Sequence, residues 1–312
     1  MLATLIARPF DDKDWIFETK WDGFRVIAVL KRGKPTLFSR NGKDVTSRYP
    51  SITKALIKIG HDAVIDGELV ALDSKGKSRF QLLQNVLNTA APLVYCVFDL
   101  LFLDGKDLRK KPLLARKEAL AAVVPKTPNI RYSAHRWEHG TRFLEQAKKQ
   151  KLEGIMAKRA AGLYHSGQRT REWLKIKTVE RQEVVIVGFT EPRGSRKYFG
   201  ALVLAVREGE HWRYVGRAGT GFNTESLREI HAKLLPLTIR QKPVDGPVPD
   251  EKHTTWVRPE LVGEVKFTEW TTAGEMRHPA FAGLREDKRA IEVVRESDTR
   301  GGKAEPDVHK HH

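Results

Sequence analysis

A chain of 312 residues, 40% hydrophobic and 30% charged, is long enough for two domains that each bury a core. It contains no apolar run of bilayer length, and its one cysteine, Cys96, excludes an intramolecular disulfide and fits a reducing compartment, the cytoplasm by default. Lys and Arg number 56 against 39 Asp and Glu, a net charge of +17 spread along the chain rather than gathered in a tail, which favours a polyanion partner and nucleic acid first.

The N-terminal MLATLIARPFDDKDW is too short in its apolar part for a secretory signal. Residues 15–19 and 24–30 then read as strands on either side of the tip in ETKWDGFRV, and residues 36–39 complete a hairpin over Arg32-Gly33-Lys34. Ile52, Leu56 and Ile59 stand at helical spacing. A strand over 63–72, a helix over 80–87 and a long apolar strand over 93–103 follow, then helices over 113–123 and 141–150 and strands over 154–158 and 173–177.

After Lys177 the texture changes. Closely spaced strands are expected over 183–190, 201–207 and 212–216, one helix over about 224–235, and two more strands near 261–270 and 290–294. Five short strands with one helix between the third and fourth is the order of an OB-fold barrel. A boundary at 178–182 gives a first domain of residues 1–182, a second of 183–295, and a polar tail of 296–312 expected to be disordered, with its three histidines a tail or tag remnant.

Several segments carry charge where a strand should be apolar. KWDGFR sets Lys20 at a strand end with Asp22 and Arg25 nearby, SRNG supplies Arg40, and DGEL puts Glu68 inside an apolar strand. YCVFD contributes Phe98, EGIMAK contributes Glu153 and Met156, and WLKIK puts Lys175 and Lys177 on one strand face at i, i+2. Singly, these read as a surface ion pair, a turn, a core aromatic and a solvated face. Together they do not, because embedded charge is costly without partners. Two acids, several bases and a strand-end lysine point to one site around a bound polyphosphate.

The ordered series KWDGFR, SRNG, DGEL, FD, EGIMAK and WLKIK resembles the motif set of the covalent nucleotidyltransferases: ATP-dependent DNA ligases, RNA ligases and capping enzymes. WVRPELVGEVKFTEWT (256–271), MRHPAFAGLREDK (276–288) and the opening MLATL resemble the bacterial LigD-type ligases, which join DNA ends with Ku. The resemblance implies an α+β protein, a nucleotidyltransferase (adenylation) domain of mixed antiparallel sheets and helices followed by an OB-fold β-barrel. It implies a reaction that moves AMP from ATP to a lysine, then to a 5′-phosphate, and ends with 3′-hydroxyl attack. RNA ligase or GTP-using capping activity is the enzymatic alternative, and a non-catalytic nucleic-acid binder the other.

By the same resemblance Lys20 is the nucleophile, Asp22 helps position it, and Lys175 and Lys177 bind the α-phosphate. Arg25 and Arg40 contact the nucleotide. Phe98 and Met156 sandwich the adenine, and the strand at Glu18 and Thr19 reads its edge. Glu68 binds ribose or metal, and Glu153 binds the metal, Mg²⁺ or Mn²⁺. Arg285, Asp287 and Lys288 close over the pyrophosphate, with 178–182 as the hinge. A lysine with an ordinary pKa of about 10.4 is protonated at neutral pH, so Lys20 is expected to be depressed by burial and by the cations beside it. The implied substrate is nicked or broken duplex DNA, with Ku a candidate partner, no membrane, a monomer, and the bacterial nucleoid as location. With no N-terminal DNA-clamping domain and no polymerase or phosphoesterase module before Lys20, weak intrinsic nick binding is expected.

Overall fold

The computed structural model describes residues 1–84 and 91–296. The first half runs β1 (Leu2–Leu5), β2 (Asp11–Thr19), β3 (Phe24–Lys31), β4 (Lys34–Ser39), α1 (Pro50–Ile57), β5 (Ala63–Ala71), α2 (Phe80–Gln84), β6 (Leu93–Leu103) and β7 (Lys106–Asp107). It continues through α3 (Leu113–Val123), β8 (Ile130–Tyr132), β9 (His135–His139), α4 (Gly140–Lys149), β10 (Gly154–Arg159) and β11 (Arg169–Lys177). These strands make two sheets, β1-β11-β10-β2-β9 and β4-β3-β5-β6-β7, with β8 alongside β6.

Each sheet buries one face under helices. Leu144 and Ala147 stand at i, i+3 on α4 and pack with Phe17, Ile155 and Ile176 of the first sheet, leaving the charged face of the helix in water. On the second sheet, Ile52 and Leu56 of α1 and Leu120 of α3 join Val26, Leu37 and Ile65. Met1, Phe98, Tyr164 and Trp173 form a bridging cluster with residues from both sheets. The facing surfaces of the two sheets are where the charged strand residues collect.

The second half comprises β12 (Arg181–Thr190), β13 (Leu202–Glu208), β14 (His211–Ala218), α5 (Thr224–Leu234), β15 (Thr238–Ile239), β16 (Thr254–Val257), β17 (Val262–Lys266) and β18 (Ala280–Leu284). The long β12 is its spine: residues 181–185 pair with β17, 188–190 with β16, and 185–189 with β13. Asn223 caps α5 through a capping box with Ser226, satisfying N–H groups that the first turn leaves free. The arrangement is the expected α+β protein with an OB-fold second domain.

Several details differ from the sequence expectation: β1, β8 and β9 are additional strands, and among the described residues the second domain has seven strands, not five. The last strand is β18, inside 276–288, and not 290–294, where Ala290–Glu292 is a 3₁₀ turn. AFAGL has two alanines, a glycine and no β-branched residue, which hides its strand character, whereas Ile291 and Val294 are β-branched but 61% and 54% exposed. The strand expected over 261–270 ends at Lys266, and β16 (Thr254–Val257) lies between the expected helix and that strand, where no element is expected. The helix expected over 80–87 is described only to Gln84, and the tail beyond Glu296 lies outside the described residues. The boundary between residues 182 and 183 falls inside β12.

Candidate active site

Strand register assembles one wall. Met156 of β10 lies opposite Glu18 of β2 on one side and Lys175 of β11 on the other, and Lys177 lies opposite Gly154. Because side chains alternate faces with period two, Lys175 and Lys177 share the Met156 face, and so does Lys158, which is opposite Trp173. Lys20 follows the end of β2, its N–H bonded to the Gly154 carbonyl at 3.0 Å. Gly23 makes the turn after it possible: a Cβ there would stand 2.0 Å from the Leu69 carbonyl oxygen of β5.

The second sheet supplies the opposite wall. Arg25 of β3 is paired with Glu68 of β5. Asp66 pairs with Asp99 and Gly67 with Val97, so Phe98 is the extra residue of a β-bulge. Such a bulge re-aims a side chain, and Phe98 reaches the cleft, edge-on to Trp173 at 5.8 Å between ring centroids. Lys20, Glu68, Glu153, Met156, Lys175 and Lys177 all line this one cleft. Glu18, Thr19, Arg25, Arg40, Phe98, Arg285, Asp287 and Lys288 line it too. Of the expected residues only Asp22 does not.

Lys20 forms an ion pair with Glu153. Burial works against its charge, but Glu153, helped by Glu264 and Glu68, outweighs burial and holds its pKa above the ordinary lysine value. This reverses the expected depression: without a bound nucleotide the lysine is kept as an ammonium. Glu68 goes the other way, pushed up to about 8 mainly by burial, with Lys20 and Arg285 opposing and Glu153 and Asp287 adding repulsion. Lys175 is lowered to about 8, again by burial first, with Lys177 adding repulsion and Glu296 pulling it back.

Several expected ligand contacts are occupied by protein groups. Arg25 makes two bonds to the buried Asp66, at 2.9 and 2.6 Å, and one to the Met1 carbonyl at 2.5 Å. Glu18 points inward, 2.7 Å from Lys117 and 3.1 Å from Lys158; burial opposes its charge, but the two lysines keep its pKa below the usual value. Lys175 and Lys177 hold Glu296. From the second domain Arg285 bonds Asp287 through two nitrogens, each at 2.9 Å, and Glu264 at 3.2 Å, while Lys288 pairs with Glu183 at 2.9 Å. Asp22 is buried and bound by Arg181, not by Lys20.

The sequence reading left Lys117, Lys158, Trp173, Arg181, Glu264 and Glu296 out of the site. Lys158 and Trp173 stand within the motifs EGIMAK and WLKIK, and strand alternation from Met156 and Lys175 would have reached both. The others come from separate elements, and only the fold brings them in. Among the described residues no group of three or more His, Cys, Asp or Glu side chains could hold a metal alone. Glu68 and Glu153 nevertheless offer two hard carboxylates beside Lys20, and Glu68 lacks an acid-neutralising partner strong enough to keep its pKa down. Mg²⁺ is commonly held this way, by one or two carboxylates plus substrate phosphates. The donor set fits that habit.

Residues 1–177 match the family model for the ATP dependent DNA ligase domain, and residues 195–288 match the ATP dependent DNA ligase C terminal region. The chain belongs to the ATP-dependent DNA ligase family. Within it, the ligase is similar to the multifunctional non-homologous end joining protein LigD of Pseudomonas aeruginosa, 39% identical over 306 residues, covering 95% of this chain and 36% of that protein. LigD of Mycolicibacterium smegmatis is 38% identical, over 94% of this chain and 39% of that protein. The ligase therefore spans well under half the length of these curated relatives. A solved mycobacterial DNA ligase D complexed with ATP is 34% identical, covers 95% of this chain and 98% of its own, and superposes with a TM-score of 0.68. The LigD-type resemblance and the two-part fold expected from the motifs are borne out.

Proposed function

We propose that this LigD-type ligase seals DNA ends bearing a 5′-phosphate and a 3′-hydroxyl, using ATP and a lysyl-AMP intermediate on Lys20. The observation that carries the reading is the convergence on one cleft of Lys20, the carboxylates Glu68 and Glu153, and the cations Lys175 and Lys177. Lys20 attacks as the free amine, so its ion pair with Glu153 opens first; burial alone then favours the neutral form. Its nitrogen bonds the α-phosphorus as the bond to pyrophosphate breaks. Lys175 and Lys177 stabilise the charge that gathers on the α-phosphate oxygens. Arg285, Asp287 and Lys288 orient the leaving pyrophosphate. Adenine lies between Phe98 and Met156, the backbone at Glu18 and Thr19 reads its edge, and Arg25 and Arg40 bound the ribose and phosphates.

Glu68 and Glu153 would hold Mg²⁺ or Mn²⁺, whose charge neutralises the triphosphate when bound. AMP then passes to the 5′-phosphate, and the 3′-hydroxyl displaces it. For these steps the OB domain leaves the cleft and closes on duplex DNA, turning about residues 178–180, since Arg181 and Gln182 of the expected hinge already belong to β12. We place the reaction in bacterial end joining, supported by the function named for the relatives; a nucleoid location, Ku as a partner and a monomeric ligase complete the reading. Among the described residues no helix is long and apolar enough to cross a membrane.

The test is a duplex with one labelled 5′-phosphate at a nick, offered as DNA or as RNA, with Mg²⁺ and either ATP or GTP. Joining of DNA with ATP supports the reading. Joining confined to RNA moves it to the RNA ligases, and a reaction supported by GTP but not by ATP moves it to the capping enzymes.

A further inference from the structure

Glu296 enters the cleft from outside the motif set. Its two carboxylate oxygens reach Lys175 Nζ and Lys177 Nζ, each at 2.5 Å. The segment that delivers it is fixed at successive points. The Arg207 N–H donates to the Val293 carbonyl at 2.6 Å, and the Arg295 guanidinium lies 4.2 Å from the Trp270 ring centroid. Gln182, itself buried, donates to the Val294 carbonyl at 3.1 Å and accepts the Glu296 N–H at 3.0 Å. The carboxylate is therefore aimed by its own backbone, with both oxygens shared between two partly buried ammonium groups.

A carboxylate and a phosphate present the same chemistry to such a pair: two anionic oxygens on one atom. Both cannot sit there together. The cavity is about 230 Å³, below the roughly 300–1,000 Å³ usual for a small-molecule site. We propose that Glu296 is a built-in occupant of the phosphate subsite, which the triphosphate must displace, so that this residue sets the apparent affinity for ATP. The proposal rests on reading the cleft as the ATP site. An affinity measured against a closed fraction is reduced by that fraction. The same ion pairs hold both lysines in place between turnovers, ready for the phosphate.

The full chain and its Glu296→Gln variant are titrated calorimetrically with inorganic tripolyphosphate, without divalent cation and at mildly acidic pH, after matching their melting temperatures. The variant is expected to bind about tenfold more tightly, the gain if the carboxylate holds the lysines roughly nine-tenths of the time. In parallel, the ATP concentration that gives half-maximal Lys20 labelling falls by a similar factor. Glu296→Asp, one methylene short of spanning both lysines, falls between. Equal or weaker tripolyphosphate binding by Glu296→Gln overturns the proposal, as does a failure of both proteins to bind it. Absence of Lys20 labelling in the wild type counts against the ATP reading alone, and the tripolyphosphate comparison still decides the role of Glu296.

Discussion

Arg181, at the start of the OB-fold domain, grips Asp22 of the KWDGFR loop, Nη1 to Oδ1 at 3.0 Å and Nη2 to Oδ2 at 3.4 Å. The same Nη1 reaches Glu264 at 2.9 Å, and Glu264 in turn receives Arg285. An unbroken line of ion pairs thus runs from the residue two places after Lys20 to the segment that carries Arg285 and Asp287. The OB-fold domain and the KWDGFR loop are joined through one buried guanidinium.

Arg181→Ala leaves Asp22 and Glu264 buried without their shared cation, a defect that typically costs about 3–5 kcal/mol. On the proposed mechanism, in which only the first step uses the docked OB domain, lysyl-AMP formation is expected to fall far more than sealing of a nick that is already adenylated. Rapid-quench rates for the two steps decide it. Equal losses in both would mean that Arg181 merely stabilises the fold.

The Lys20 ammonium depends on Glu153. Removing that carboxylate by Glu153→Gln leaves burial as the main influence, and the Lys20 pKa drops. Modification of Lys20 by an amine-selective reagent, followed across pH by peptide mass mapping, should then begin at lower pH in the variant. An unchanged profile would show that Glu153 does not hold the proton there.

Glu68 makes stability depend on pH in an unusual direction. With its carboxyl at about 8 in the fold and an ordinary value of 4.5 unfolded, the folded protein keeps a proton that the unfolded chain has released. Between those values this group keeps its proton only in the native state, so the contribution of Glu68 to stability is fullest below about 4.5 and declines as pH rises toward 8. Glu68→Gln should flatten this part of the urea-stability profile, measured without nucleotide or metal. A slope identical to wild type contradicts the assignment.

Arg116 and Asp99 are paired with neither side chain exposed, at 2.7 and 2.9 Å. Burial raises the Asp99 pKa, against the pull of Arg116. Arg116→Met should destabilise by about 3–5 kcal/mol at neutral pH and by less in acid, where the carboxyl can take a proton. Urea melts at the two pH values measure the difference.

What the sequence made legible follows from strand periodicity and spacing. Lys175 and Lys177 at i, i+2, Glu68 in an apolar strand and Lys20 at a strand end were all readable, and they do meet in one cleft. Their partners were not. Glu18 looked like a nucleotide-edge residue, but its side chain is drawn inward by Lys117 and Lys158, which come from α3 and β10. Glu296 lay at the start of a polar stretch with no pattern of its own, and only the pairing of Gln182 with that stretch brings it to the lysines. The final strand differs for a local reason: exposed Ile291 and Val294 carry the β-branched signal, while the true strand, AFAGL, has no β-branched residue. Tertiary pairing overrode propensity there.

The central claim is that Lys20 becomes covalently adenylated. The most direct test incubates the protein, freed of pre-bound AMP, with Mg²⁺ and α-labelled ATP or GTP, then denatures it and maps the label, with Lys20→Ala in parallel. The account predicts label from ATP, on the peptide containing Lys20, absent in the variant and released by pyrophosphate. Label elsewhere on the chain, label retained by Lys20→Ala, or no label from ATP would contradict it.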